Sequence, residues 1–154
     1  MIELSHHKAM LRECSIPAAL EVVGERWSFL ILRAAFNGLS HFEEFQRTLG
    51  IARNILSSRL VRLVENGVLD RVCDKTDRRK VEYRLTAKGD ALLPVVIAIR
   101  QWGEQWVRRG ESQLVLVDVR DRLPIAPIEV RAADGRKLMG WTPPDGIDVP
   151  KWRC

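Results

Sequence analysis

Arg53, Asn54, Ser57, Ser58, Arg59 and Arg62 fall within one short stretch of this sequence, and each carries a side chain suited to nucleic acid. Asparagine matches the donor and acceptor of adenine, arginine forks onto guanine or phosphate, and serine hydrogen-bonds to either. Leu56, Leu60, Leu63 and Val64 recur among them at i, i+4, i+7 and i+8. That spacing predicts a helix over residues 52–66 whose apolar side packs inward. Asn54, Ser58 and Arg62 then point outward, with Ser57 at the flank and Arg53 near the N-terminus. A recognition helix brings its N-terminal residues closest to base edges. Arg53, Asn54, Ser57 and Ser58 are therefore expected at the bases, and Arg59 and Arg62 at phosphates.

Neighbouring segments must position that helix. A shorter helix is expected over 40–49, with Ser40 as N-cap and Glu43 three residues on at capping-box spacing. Gly50 supplies the turn between the two helices, and Gly67 stops the second. LDRVC (69–73), a charged turn and KVEYRL (80–85) follow, the last alternating with the period of a half-buried strand. Lys75, Arg78, Arg79 and Lys80 surround the turn together with Asp74 and Asp77. Four cations on a projecting hairpin suit phosphates beside a minor groove; the alternative is a solvated turn in which Asp77 pairs with Arg79. Residues 51–80 carry eight Lys/Arg against four Asp/Glu, whereas residues 1–50 carry five against six. The cationic excess thus lies where phosphate contact is expected.

The fold class expected is mainly α with a β-wing (α+β): a winged helix-turn-helix, a long C-terminal dimerisation helix and a small β appendage. Ser15 and Pro17 open a helix through Val23, and residues 27–36 form a nearly apolar, buried one. Thr86 caps a helix to about residue 109, kinked at Pro94. Val95, Ile99, Trp102 and Trp106 follow i, i+4, i+7 and i+11, and Leu92 and Val96 widen the stripe. One side can pack on the winged module. The other calls for a second copy, so these six residues are the expected dimer interface, unless the chain's own tail wraps the helix. Past Gly110, a loose strand at 114–118 and a hairpin turn at Asp134-Gly135 predict a separate appendage. The division expected is 1–110 for DNA binding and dimerisation, and 111–154 for the appendage.

Composition excludes several classes. With 46% apolar residues and five tryptophans among 154 residues, the chain can bury a core. No apolar run approaches the ~18 residues of a membrane span. The first residues lack the layout of a secretory signal, and three cysteines make no disulfide framework, so a cytoplasmic location is expected. His6, His7 and His41 show no metal-ligand spacing, and no catalytic triad, phosphate loop or carboxylate pair is present. Neither an enzyme, a metal nor a cofactor is expected. The partners expected are double-stranded DNA, a second copy and a small-molecule effector.

Several motifs together carry a resemblance: CSIPAALEVVGERWSFLILR, FEEFQRTLGIARNILSSRLVRLVENGVL, VEYRLTAKGDALLPVV and QWGEQW. In this order they resemble the HxlR-type winged helix-turn-helix regulators, relatives in fold of the MarR group. The resemblance runs from Cys14 to about Val107. It implies a homodimer on a palindromic operator, regulated by a small molecule or by oxidation. Ile51-Ala52 departs from it, standing where many relatives have a Ser or Thr cap. Cys14 just precedes a helix start, where backbone N–H groups favour a thiolate, and the resemblance implies a redox sensor there; the alternative is a small packed residue near the dimer seam. Trp27, Phe29, Phe36, Trp102 and Trp106 could line a ligand site or simply be core. The rival reading from another class is a winged-helix protein–protein module that never touches DNA.

Overall fold

Apolar side chains at helical spacing bring the segment from Ser15 to Glu65 into four helices around one core. The computed structural model of the protein describes residues 14–73, 81–108 and 115–138. The helices are α1 (Ser15–Val23), α2 (Arg26–Phe36), α3 (Phe42–Leu49) and α4 (Arg53–Glu65). Strands β1 (Leu69–Cys73) and β2 (Val81–Leu85) pair antiparallel, with Leu69 opposite Leu85, Arg71 opposite Tyr83 and Cys73 opposite Val81. A short helix α5 (Ala87–Asp90) and a longer α6 (Leu93–Trp106) follow. This is the winged-helix arrangement expected from the sequence. The cationic wing residues Lys75, Arg78, Arg79 and Lys80 lie outside the described residues.

Phe45, Ile31, Leu32, Leu56, Leu60, Leu63, Val68 and Leu69 are the fully buried side chains of the core. α2 contributes its Ile31–Leu32 step and α4 its leucine side, as the periodicity required. Trp27, Phe29 and Phe36 pack half-buried against this cluster, and so do Leu92 and Val96. The three aromatics are thus core-supporting side chains.

Two local readings need correction. The N-cap of α3 is His41, one residue later than expected, and Glu44 takes the place of Glu43. The Glu44 carboxylate accepts from the backbone N–H groups of Ser40 and His41, both at 3.0 Å. Ser40 is instead drawn to the wing, its carbonyl accepting from the Tyr83 N–H at 2.7 Å, and the first intrahelical bonds go to the His41 carbonyl.

The second correction concerns the long helix. Thr86 does cap, its Oγ1 accepting from the Gly89 N–H at 3.1 Å. The helix it opens lasts only four residues, and the chain turns at Ala91–Leu92 before α6 begins. A continuous helix would drive the Pro94 ring into the carbonyl four residues before it. Breaking the chain places Pro94 second in α6, where a missing N–H costs nothing.

Gly89 marks a close approach. A Cβ there would stand 2.3 Å from the Val68 carbonyl oxygen and 2.9 Å from Leu85 Cδ2. Thr86 Oγ1 also donates to the Gly67 carbonyl at 2.7 Å, so α5 is fastened directly onto the base of the wing.

The chain separates into two compact units, Met1–Ile99 and Arg100–Cys154, and the core described above belongs to the first. In the second, Gln101 holds residues 126–128 through Nε2 to the Ala126 carbonyl at 3.2 Å and Oε1 from the Ile128 N–H at 2.8 Å. The strand expected at 114–118 is reduced to an isolated bridge between Val117 and Pro124. The Asp134-Gly135 turn forms, with the Gly135 N–H on the Ala132 carbonyl at 2.9 Å, but its arms meet only at an Arg131–Lys137 bridge. Glu129 pairs with both Arg131 and Lys137, and the Lys137 ammonium in particular holds its carboxyl below the usual range. No residue among those described in this unit is buried.

Candidate nucleic-acid interface

Gly50 adopts the left-handed conformation (φ 60°, ψ 29°) that ends α3, a geometry costly for any residue with a Cβ. Its N–H donates to the Gln46 carbonyl at 3.0 Å. Two residues later Ala52 is the extended N-cap of α4 and offers no side-chain cap, so the departure noted at Ile51-Ala52 is present in the structure. Arg53 begins the helix with its guanidinium over the Phe42 ring, 4.7 Å from the centroid. That cation–π contact braces the first turn of α4 against the first turn of α3.

Leu56, Leu60 and Leu63 are fully buried, and the opposite side of α4 is in solvent. Arg53, Asn54, Ser57 and Ser58, the expected base-contacting set, are all exposed and lie together on the first two turns. The outward face continues through Val61 to Glu65. Val61 went unremarked in the sequence, although its place outside the leucine series was the available signal.

The two arginines expected at phosphates are placed differently. Arg59 forms an ion pair with Glu25, the N-cap residue of α2, and its side chain is only 21% exposed. Its Nε is buried without a hydrogen-bond partner. Arg62 donates to the backbone carbonyl of Glu21 and approaches the Glu21 carboxylate at 3.4 Å. Both therefore bind α4 to the junction of α1 and α2. Glutamates four apart across the α1–α2 junction and arginines three apart on α4 were the legible hint, but nothing local says that they meet.

Cys14 is the extended N-cap of α1, partly buried, and its side chain makes no capping hydrogen bond. Cys73, at the end of β1, is exposed, and Arg71 Nη1 approaches its sulfur at 3.3 Å. Cys154 lies outside the described residues. Among the described residues no cluster of His, Cys, Asp and Glu could hold a metal ion, and no helix is long and apolar enough to cross a membrane.

A family profile described as HxlR-like helix-turn-helix matches residues 22–111, more than half of the chain. The chain belongs to that family. Its match takes in α2 to α6 and the wing, and begins after Cys14. An uncharacterized HTH-type transcriptional regulator of Mycobacterium tuberculosis (strain H37Rv) is 48% identical over 98 residues, covering 64% of this chain and 62% of the relative. The chain thus spans less than two thirds of the mycobacterial relative's length. Among solved structures, PA1607, a proposed transcription factor, is 43% identical, with a TM-score of 0.77 over 90% of this chain and 94% of that one. That coverage exceeds the family match, so PA1607 shares more with this chain than the HxlR-like portion. The redox regulator HypR in its reduced form is 30% identical, with a TM-score of 0.56 over 60% of this chain and 92% of its own.

Proposed function

We propose that this protein is a sequence-specific DNA-binding transcriptional regulator, a repressor that grips a palindromic operator as a homodimer. The observation that supports this reading is the division of α4 into a buried leucine side and an exposed side of Arg53, Asn54, Ser57 and Ser58. Such a helix, set by a tight turn against a second helix and followed by a wing, fits the major groove. The cations Lys75, Arg78, Arg79 and Lys80 are assigned to phosphates. Arg59 and Arg62 help to fix α4 through Glu25 and Glu21, and a phosphate contact from either competes with that pairing. Release of DNA by a small ligand or by oxidation of Cys14 completes the proposal, in keeping with HypR, a redox regulator with structures of reduced and oxidised forms.

The test is enrichment of duplexes from a random-sequence pool by the full chain, followed by gel shifts. Half-sites about 10 bp apart, centre to centre, are expected. Asn54→Ala should lower discrimination at one base position by about 1–3 kcal/mol. Arg79→Ala should weaken every duplex alike and flatten the salt dependence by about one unit of slope. Identical behaviour of the two variants would refute the division of labour, and failure to enrich any sequence would refute DNA reading itself.

A further inference from the structure

Val61 is the single exposed apolar residue of α4, 52% open to solvent on an otherwise polar outward face. Among the described residues, nothing in the fold asks for it. The core is completed by Leu56, Leu60 and Leu63, and the contacts with the α1–α2 junction are made by Arg59 and Arg62. Nor does the helix ask for it, since a β-branched side chain is a weaker helix former than alanine or a long polar one at a solvent-facing position. Its placement is informative. Val61 lies seven residues after Asn54, four after Ser57 and three after Ser58, so all four share one face. The distance from Asn54 is about 10 Å along the helix axis, which for a helix inclined in the groove corresponds to about two to three base-pair steps. Glu65, exposed one turn further on, is an anion that phosphates would repel. The face suited to a DNA groove therefore ends at Val61.

A branched hydrocarbon held in a major groove meets one apolar feature among the base edges, the C5-methyl group of thymine. The geometry points to Val61 as a specificity residue that recognises thymine by packing on that methyl, at a position in each half-site about two to three base pairs from the one read by Asn54. Its two methyl groups contact an A·T pair oriented with thymine toward α4. Cytosine, which lacks the methyl and carries an amino group, is disfavoured at that position. This assignment rests on the proposed reading of DNA by α4 and adds a base-specific contact made without a hydrogen bond.

Replacing thymine by uracil removes the methyl and keeps every hydrogen-bonding group, which separates this contact from all the others. The probe is the duplex enriched by the full chain, with each thymine replaced by deoxyuridine in turn. At one position per half-site the native protein should lose about fourfold in affinity, the factor expected for one buried methyl. Val61→Ala should bind the thymine duplex about fourfold more weakly and be indifferent to uracil there. Val61→Thr, which keeps one methyl, should retain part of the discrimination. Thermal melting of the variants should show none unfolded at the binding temperature, with Val61→Ala no lower than the native protein, so a loss of binding reports contact. If no uracil matters, or if Val61→Ala remains as sensitive to uracil as the native protein, the assignment is overturned while DNA reading by α4 stands. If the pool yields no enriched duplex, the underlying reading fails along with it.

Discussion

Arg59 shows how a single guanidinium can be recruited away from the surface on which its helix would seem to place it. Its ion pair with Glu25 is mostly shielded on the arginine side and half open on the glutamate side. The pair therefore behaves as neither a buried salt bridge nor a free surface one. The unpartnered Nε adds a desolvated donor that the pair does not satisfy. Removing Glu25 leaves a shielded charge without its counter-ion, whereas removing Arg59 leaves a carboxylate that water can reach. Glu25→Ala is accordingly expected to cost about 1–3 kcal/mol in urea unfolding, and Arg59→Met less. Adding Arg59→Met to Glu25→Ala should recover part of the loss. A double variant as unstable as the sum of both singles would show that the two side chains do not couple.

At the scale of elements, the cap of α3 gives the fold a response to acid. Glu44 accepts two backbone N–H groups, chiefly that of Ser40 and then that of His41, and these hold its carboxyl below the usual range. A carboxylate whose pKa falls on folding stabilises the native state above its unfolded value, and the benefit is lost as pH drops through the folded one. Lowering the pH from about 6 to about 3 should reduce the melting temperature of the native protein more than that of Glu44→Gln. Parallel curves would mean that the cap does not titrate with folding. Most of this architecture was legible in the sequence: leucines at helical spacing, Gly50 and Gly67 as stops, and alternation in β2 define α4 and the wing from local preference alone. The start of α3 was not, because by residue type Ser40/Glu43 is the better capping pair, yet the structure uses His41/Glu44. A contact from more than forty residues away accompanies the later start, the Tyr83 N–H donating to the Ser40 carbonyl. The exposed side of α4 was readable for the same reason as its core, whereas the partners of Arg59 and Arg62 depended on tertiary geometry.

For the whole molecule, the decisive quantity is apolar surface without cover in one chain. Ile16 and Leu20 of α1 are exposed, as are Val95 and Ile99 on α6, and Trp102 and Trp106 stand 60% and 69% open. Leu92 and Val96, from the same expected interface, are partly buried against the core of their own chain. We propose that the exposed set is closed by a second copy, as the operator symmetry of the proposed function requires. Sedimentation should find the native protein dimeric. Ile99→Glu should raise the dimer dissociation constant on the order of a hundredfold, the equivalent of about 2–3 kcal/mol for a carboxylate forced into an apolar seam. A monomeric native protein, or a variant that remains as tightly dimeric, would remove Ile99 from the seam.

Apart from Arg53, which also braces α4 on Phe42, the sides of α4 divide cleanly: Leu56, Leu60 and Leu63 are sealed inside, while Asn54, Ser57, Ser58 and Val61 are left in water. Under the proposed reading of DNA, retargeting such a protein becomes a change of lettering on a fixed type block. Those outward positions can be rewritten as a set, and the residues that determine whether the chain folds never take part.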